Sequence, residues 1–385
     1  MKKKVPLTLF ALVPALVAFA YFASTQNWIK TIVSTKASGT SESAKVFTPE
    51  DRKVQFAEAS IAKHGEDAEA HRLLAGALIT RAETTGDAAD YDRAWTELDR
   101  AESLEQTVTA RVLTLRASLL FSRHRFVQSK TVAEEGLKKW TDNVELLGIA
   151  GDGALESGDL VTAEKHYQHL VETSPRLSSA WARLSHLEEV RGNFAEASRL
   201  MEKSIDASYP KPLSVGGIAW TRSILGEIEA KRGNLEEARR QYNWALSKVP
   251  DYPLALEFLA DLEQWQGHPD AAEQIYRNLL SKKADPKWQM SLATLLEKRG
   301  AKDEAAQLRA EARKFYEQTV AGGNEGYLRP LATLELAENH FQRAAELAAR
   351  DMALRPTTES RAIYANILKA ANDAGQPLTI AQNVQ

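Results

Sequence analysis

The chain contains no cysteine. Disulfides, thiolate zinc sites and cysteine nucleophiles are therefore excluded, and so is a lipoprotein anchor, whose lipid is carried on a cysteine. A large charge of one sign is also missing. The formal net charge is −3, so no global basic field attracts nucleic acid, and no nucleic-acid partner is expected. Recurring catalytic and ligand signatures are absent: there is no HExxH, no GxSxG, no glycine-rich loop ending in GKS or GKT, and no EF-hand loop. β-Branched residues are sparse beside alanine, leucine and glutamate, which favours helix. What remains is an ordinary soluble composition, 44% hydrophobic and 26% charged, which excludes wholesale disorder and a multi-span membrane protein. At 385 residues the chain exceeds the usual single core, leaving two domains or one elongated array.

Lys2, Lys3 and Lys4 open the chain, and Val5 to Ala23 then runs 19 residues without a charge. Ala18-Phe19-Ala20 presents the small-x-small pattern that a signal peptidase reads. Two readings of residues 1–23 stand. One is a signal peptide cleaved after Ala20. The other is an uncleaved anchor, because a helix rising about 1.5 Å per residue just spans a hydrocarbon core of about 30 Å over this length. Tyr21, Phe22 and Trp28 suit the outer interface, and under either reading the lysines stay cytoplasmic while the rest crosses. The expected location is periplasmic, or anchored in the inner membrane with the folded body outside the cytoplasm. Residues 24–47 read as a flexible linker, since Ser34 to Lys45 is small, polar and aperiodic. Thr48-Pro49-Glu50-Asp51 then has the features of a helix start, and Gly65 those of its stop.

From there one motif recurs: glycine, a small or polar residue, usually an apolar one, two variable residues, then alanine. It begins at Gly158, Gly192 and Gly233, and in weaker form at Gly267 and Gly300, with alanine at Ala163, Ala197, Ala238, Ala272 and Ala305. The steps are 34, 41, 34 and 33 residues. The 41 reads as 34 with a seven-residue insertion, placed in the stretch from Tyr209-Pro210 to Gly216-Gly217. Worn copies start at His124 and Asn339, Ala94 fits the alanine place of an earlier one, and Ala374 to Pro377 hints at a final partial copy. Each glycine lies between two apolar stripes of helical spacing, such as Leu147, Ala150, Gly151 and Ala154 before Gly158, and Ala163, Tyr167 and Leu170 after it. Glycine supplies the positive φ that ends one helix. The alanine is small because two helices cross there, and the aromatic at Tyr167, Tyr242 or Tyr276 fills the gap one turn on. Pro175 and Pro250 close their units.

Residues 48–377 therefore read as an all-α array of helix pairs, followed by a tail at 378–385. The matching residues are Trp181, Leu147 or Leu256 early in the first helix, then Leu184-Ser185, Leu225-Gly226 or Leu259-Ala260. The glycine turn, the alanine, the aromatic and the closing proline follow. In these features the sequence resembles the tetratricopeptide repeat family. It departs from the pattern at His124 in the turn, at Tyr209 and Ala284 where proline is usual, and at Arg309 where an aromatic is usual. The helix from about Lys302 to Thr319 is also longer than a standard unit. The resemblance implies a right-handed superhelical solenoid of antiparallel pairs whose first helices line a concave groove. It also implies a non-catalytic adaptor that holds a peptide or partner protein. Two alternatives stand beside it: an accessory subunit of an envelope transport or secretion machine, and a metal-dependent enzyme component in which His186 and Glu189, one helical turn apart, take part.

On the face of the first helices opposite the leucine stripe stand Glu145, Asp152, His186, Glu189, Trp220, Glu227, Glu257, Asp261, Trp265 and Glu297. Two uses of this face are open. It lines a groove for a basic or amphipathic partner, with the tryptophans as anchors; or the charges are a solvated surface and the tryptophans pack under neighbouring units. The paired lysines, asparagines and arginine with which related domains clamp chaperone C-termini are replaced here by Asp, Glu, Ser and Ala. No cofactor and no metal is expected. His166 and His169 have helical metal-ligand spacing but no convincing carboxylate partner, and Glu134-Glu135, Glu188-Glu189 and Glu236-Glu237 diverge from adjacent positions.

Overall fold

The computed structural model describes residues 48–379 except 65, 66, 86, 106, 208–212 and 377. The apolar segment, the linker, Gly65, residues 209–212 and residues 380–385 of the tail lie outside the described residues. Among those described, every regular element is helical, and no helix is long and apolar enough to cross a membrane.

The first helices in chain order are α1 (Pro49–His64), α2 (Ala68–Thr85), α3 (Ala88–Leu104), α4 (Ala110–Ser122), α5 (Phe126–Leu137), α6 (Val144–Glu156) and α7 (Leu160–Thr173). Then come α8 (Ser178–Val190), α9 (Phe194–Asp206), α10 (Val215–Lys231), α11 (Leu235–Lys248), α12 (Pro253–Gln266), α13 (Pro269–Lys282), α14 (Pro286–Lys298) and α15 (Lys302–Ala321). After a 3-10 turn at Glu325–Tyr327 follow α16 (Leu328–Ala337), α17 (Phe341–Leu354) and α18 (Thr358–Asp373). The chain divides into two compact units. The central unit is Val171–Phe315; the discontinuous unit takes the described parts of Ala37–Leu170 and Tyr316–Gln385.

Helix starts follow local chemistry. Thr48 and Asp51 cap α1 reciprocally: Asp51 N–H donates to the Thr48 hydroxyl at 3.1 Å, and Thr48 N–H donates to the Asp51 carboxylate at 3.0 Å. Thr109, Asn143, Ser214 and Thr357 accept from the backbone in the same way; each such cap contributes about 1 kcal/mol. The Ser214 cap corrects one expectation. Gly216 and Gly217 are not in the inserted loop; they form the buried first turn of α10, with Gly217 N–H donating to Ser214 Oγ at 3.0 Å.

The turns repeat one backbone geometry. Gly158, Gly192, Gly233, Gly267 and Gly300 all have φ between 79° and 86°. In each, the residue after the glycine donates its N–H to a carbonyl five residues back, as Asp159 does to Ala154 at 2.8 Å and Asn234 to Glu229 at 2.8 Å. His124 and Asn339 hold the same positive φ, at 57° and 63°, so the worn copies keep the turn without its glycine. The motif alanines at 94, 163, 197, 238 and 272 are fully buried. At the end, Gly375 stops α18 with φ 66°, and no further helix follows among the described residues.

In the discontinuous unit one core joins α1, α2, α3 and α4 through Val54, Ala57, Leu78, Ala94, Leu98 and Leu119. The C-terminal helices return to this unit. The His124 ring lies against Gly326, which has no side chain to obstruct it, and Arg125 pairs with Glu325 at 3.6 Å. Burial, then the nearby Arg355 guanidinium, pushes the His124 imidazole down to about 3, so it stays neutral near pH 7. In the central unit the core runs from Ala182 through Ile224, Ile228, Tyr242 and Phe258 to Leu262, and continues through Tyr276, Trp288 and Leu296.

Close approach makes glycine obligatory at Gly226, where an added Cβ would sit 2.4 Å from Tyr242 Cε1 and 3.1 Å from the Ala238 carbonyl. At Gly76, inside α2, the nearest atom would be 3.6 Å away. Gly226→Ala should therefore cost about 1–3 kcal/mol, while Gly76→Ala should gain about 0.5–1 kcal/mol from helix propensity. Urea unfolding of both variants checks this; equal effects would refute the packing argument.

Candidate functional site

The repeat phase places a polar side chain at one fixed point of each first helix. Asp152, His186, Glu227 and Asp261 each stand six residues ahead of a turn glycine, and Tyr167, Met201, Tyr242 and Tyr276 stand nine after it. These two slots meet inside a hairpin. Tyr167 donates its hydroxyl to Asp152 at 2.8 Å, and Tyr276 donates to Asp261. Met201, opposite His186, has no hydroxyl to offer. In the remaining hairpin the acid is a glutamate, and the bond is not made: the Tyr242 hydroxyl is buried without a hydrogen-bond partner.

In the central unit the slot belongs to a longer row of charges. Lys231 at the end of α10 pairs with Glu189 on α8 and, at 2.9 Å, with Glu227 one turn back on its own helix. Glu189 also receives His186 Nδ1 at 3.2 Å. Further along, Glu257 on α12 pairs with Lys287 on α14 and accepts the Trp288 indole N–H at 2.9 Å. Lysine and carboxylate thus tie α8 to α10 and α12 to α14. The side chains of Glu189, Glu227 and Lys231 are each less than 10% exposed, so their pairing is needed to offset desolvation.

The titration shifts follow this arrangement. Glu189 is held down to about 2: burial works against the charge, but Lys231 and His186 outweigh it. Glu227 shares the same lysine, yet burial and repulsion from Glu189 leave it raised. Asp261 is pushed up to about 7, first by burial and then by the neighbouring Glu257 charge, against the Tyr276 hydrogen bond. Lys287 is raised by Glu257, Asp261 and Glu227 although desolvation opposes its charge most strongly. Its side chain is nevertheless 41% exposed.

Of the ten groove candidates, His186, Glu189, Glu227, Glu257 and Asp261 come together in this row. Trp220 is only 9% exposed and lies in the core, with Trp265 packed against the same cluster; burial, not groove exposure, accounts for Trp220. Glu145 is exposed and pairs with Arg111 at 3.5 Å, Glu297 pairs with Arg309 at 2.5 Å, and Asp152 is buried in the discontinuous unit. The expected acidic face is thus partly neutralised by Lys231 and Lys287, which the sequence reading passed over. Lys231 carried a usable signal, four residues after Glu227 on one helix. Lys287 did not, because its partner is thirty residues away. His166 and His169 turn to different acids, Glu134 at 3.2 Å and Asp142 at 2.9 Å, and among the described residues no group of three or more acids and histidines is placed to hold a metal.

Two outcomes follow from this geometry. Tyr167→Phe should cost about 2 kcal/mol, the value of a hydrogen bond to a charged acceptor, whereas Tyr242→Phe should cost nothing and gain about 1 kcal/mol or more by removing a buried unmet hydroxyl; urea melts of the two variants decide it. Asp261 binds its proton more tightly folded than unfolded, so its contribution to stability falls as pH rises from about 4 to about 7. The melting temperature of Asp261→Asn minus that of the wild type should therefore grow between pH 5 and pH 7 and level off above it. A difference independent of pH would contradict the shift.

A family model described as tetratricopeptide repeat matches residues 229–296, which run from the end of α10 into α14. A TPR repeat-containing protein of Pseudomonas aeruginosa is 25% identical over 169 residues, covering 44% of this chain and 28% of that one. Cellulose synthase operon protein C of Xanthomonas axonopodis pv. citri is 28% identical over 149 residues, 36% of this chain and 9% of its own. The chain thus spans less than a third of the length of either relative. A crystal structure of a tetratricopeptide repeat protein from Parabacteroides merdae is similar with TM-score 0.49 and 18% identity, covering 65% of this chain and 98% of that one. Residues 229–296 thus match the tetratricopeptide repeat, and seven turns of one geometry with buried motif alanines extend the likeness along the chain.

Proposed function

We propose that the protein is a non-catalytic adaptor whose central unit binds a segment of a partner protein along the face of α8, α10, α12 and α14. One observation carries this: ion pairs hold Glu189, Glu227, Lys231, Glu257 and Lys287 in a row across these four helices, with the Lys287 side chain 41% exposed. A row of charges held rigidly by core packing and reaching water at Lys287 suits a peptide or helix better than a small substrate, because its contacts are spaced along several helices. With acids outnumbering lysines along the row, the favoured partner is basic or amphipathic. The N-terminal Lys2–Lys4 and the uncharged Val5 to Ala23 support placement of this adaptor at the cell envelope, with the repeats outside the cytoplasm. The likeness to cellulose synthase operon protein C is compatible with an accessory role beside an envelope machine.

Peptide display on the purified chain tests the binding reading. Wild-type protein should enrich a basic peptide set that Glu257→Gln loses by about tenfold, while Arg240→Glu, on the exposed surface of α11, keeps it. Enrichment no better than a bare surface, or equal loss in both variants, would end the reading. Fractionation of cells expressing the full chain should recover it from the envelope; a wholly cytoplasmic pool would remove the envelope part alone.

A further inference from the structure

The row of charges has one incomplete step. Lys231 joins α8 to α10, and Lys287 joins α12 to α14. Between α10 and α12, which touch directly, the facing groups are acids. Glu227 and Asp261 act on each other as like charges, and among the described residues no basic side chain is within ion-pairing distance of Asp261. Acids alone would not mark a site, since carboxylates are common on helix faces. The second observation is Tyr242 on α11. It is fully buried, its hydroxyl has no hydrogen-bond partner, and the two charges acting on it are Glu227 and Asp261. The equivalent tyrosines at 167 and 276 show where such a hydroxyl is aimed: into the acidic slot fifteen residues earlier. Here that slot holds Glu227, whose carboxylate has turned away to Lys231. A buried unmet hydroxyl costs about 1–3 kcal/mol, and Asp261 has no ion-pair partner of its own, feeling Lys287 only from beyond pairing distance.

We propose that this step of the row, formed by Glu227, Asp261 and Tyr242, is the seat of an arginine side chain from the bound partner segment. The proposal rests on the peptide-binding reading and names the contact that decides specificity. A guanidinium presents several N–H donors in one plane, enough to serve carboxylates on two helices and a hydroxyl oxygen together. An ammonium is a single point of charge and meets the same groups less completely. The incoming cation restores the alternation of charge that Lys231 and Lys287 set at either end. Asp261 is the variable member. Around it stand Glu257 on its own helix, Glu227 from α10, Tyr242 from α11, Tyr276 from α13 and Lys287 from α14. Only its ionised form pairs with a guanidinium, and it holds its proton up to about pH 7. Binding should therefore strengthen as pH rises and release a proton at neutral pH.

The test is calorimetric titration of the full chain with three amidated peptides of equal length, in which alanine alternates with arginine, lysine or glutamate. The arginine peptide should bind best at moderate salt, with affinity rising up to about tenfold between pH 6 and pH 8. Its heat at pH 7 should vary with buffer ionisation enthalpy. Asp261→Asn, which relieves a buried charge and so folds, should lose about tenfold in affinity and abolish the pH rise. Tyr242→Phe should weaken the arginine peptide several-fold without lowering stability. Equal binding of the arginine peptide to wild type and Asp261→Asn at both pH values would reduce it to attraction by net charge and overturn the proposal. Failure of the arginine peptide while display-selected peptides still bind would overturn it too, and leave the adaptor reading standing. Loss of all peptide binding would remove both.

Discussion

The contact between a tyrosine of the second helix and a small residue of the first sets the geometry on which everything else depends. Tyr167 lies over Gly151 and Tyr242 over Gly226, so closely that a methyl group would collide with the ring. Ring and glycine fix both the separation of the two helices and their rotation about their own axes. Rotation is the functional consequence. The residue next to each glycine, Asp152 or Glu227, is carried to one defined place at the end of the phenol, and the whole face of the first helix turns with it. A solenoid whose hairpins were merely greasy would bury comparable apolar area but would not hold polar groups in register from one hairpin to the next.

That register explains how so many charges are tolerated at low exposure. Removing a carboxylate from water is costly, and the attraction of one lysine repays it only with good geometry. Lys231 meets two carboxylates, and their titration diverges: Glu189 falls while Glu227 rises. One cation stabilises one acid fully and leaves the second in deficit. The pair behaves as a shared system in which the proton affinity of either acid depends on the charge of the other. The same logic acts at Glu257 and Asp261, where the lysine serves Glu257 and the aspartate is left to hold a proton near neutrality. Surplus acid therefore collects between α10 and α12, because the cations sit at the outer ends of the row.

Much of the fold was written in the spacing of a few residues. The five turn glycines lie at the expected places, and His124 and Asn339, recognised only by phase, adopt the left-handed turn that glycine takes elsewhere. The long helix after Gly300 is also present, as Lys302–Ala321. Gly216 and Gly217 were misplaced because paired glycines near prolines suggest a loop, whereas burial inside a helix start is a tertiary fact. The face of the first helices was legible as a list but not as an energy. Helical projection finds Glu189, Glu227, Glu257 and Asp261 together; it cannot find that Lys287 crosses from α14 to meet one of them, or that Trp220 is consumed by the core. Contacts between neighbouring hairpins depend on side-chain direction, and a periodicity argument contains none.

Glutamate at position 227, where other hairpins carry aspartate, shows how one methylene changes what a structural slot can reach. At Asp152 and Asp261 the short side chain reaches no farther than the tyrosine below it, and the hydrogen bond closes the slot. Glu227 is longer by one carbon and reaches Lys231 on the next turn of its own helix, which aspartate at that position would not. The ion pair so formed links α10 to α8 through Glu189, and the hydroxyl of Tyr242 is what it leaves behind. The repeat that best holds its neighbours on one side is therefore the repeat with unmet polar capacity on the other. In the central unit, where each hairpin packs on those beside it, such an asymmetry has no remedy within the row.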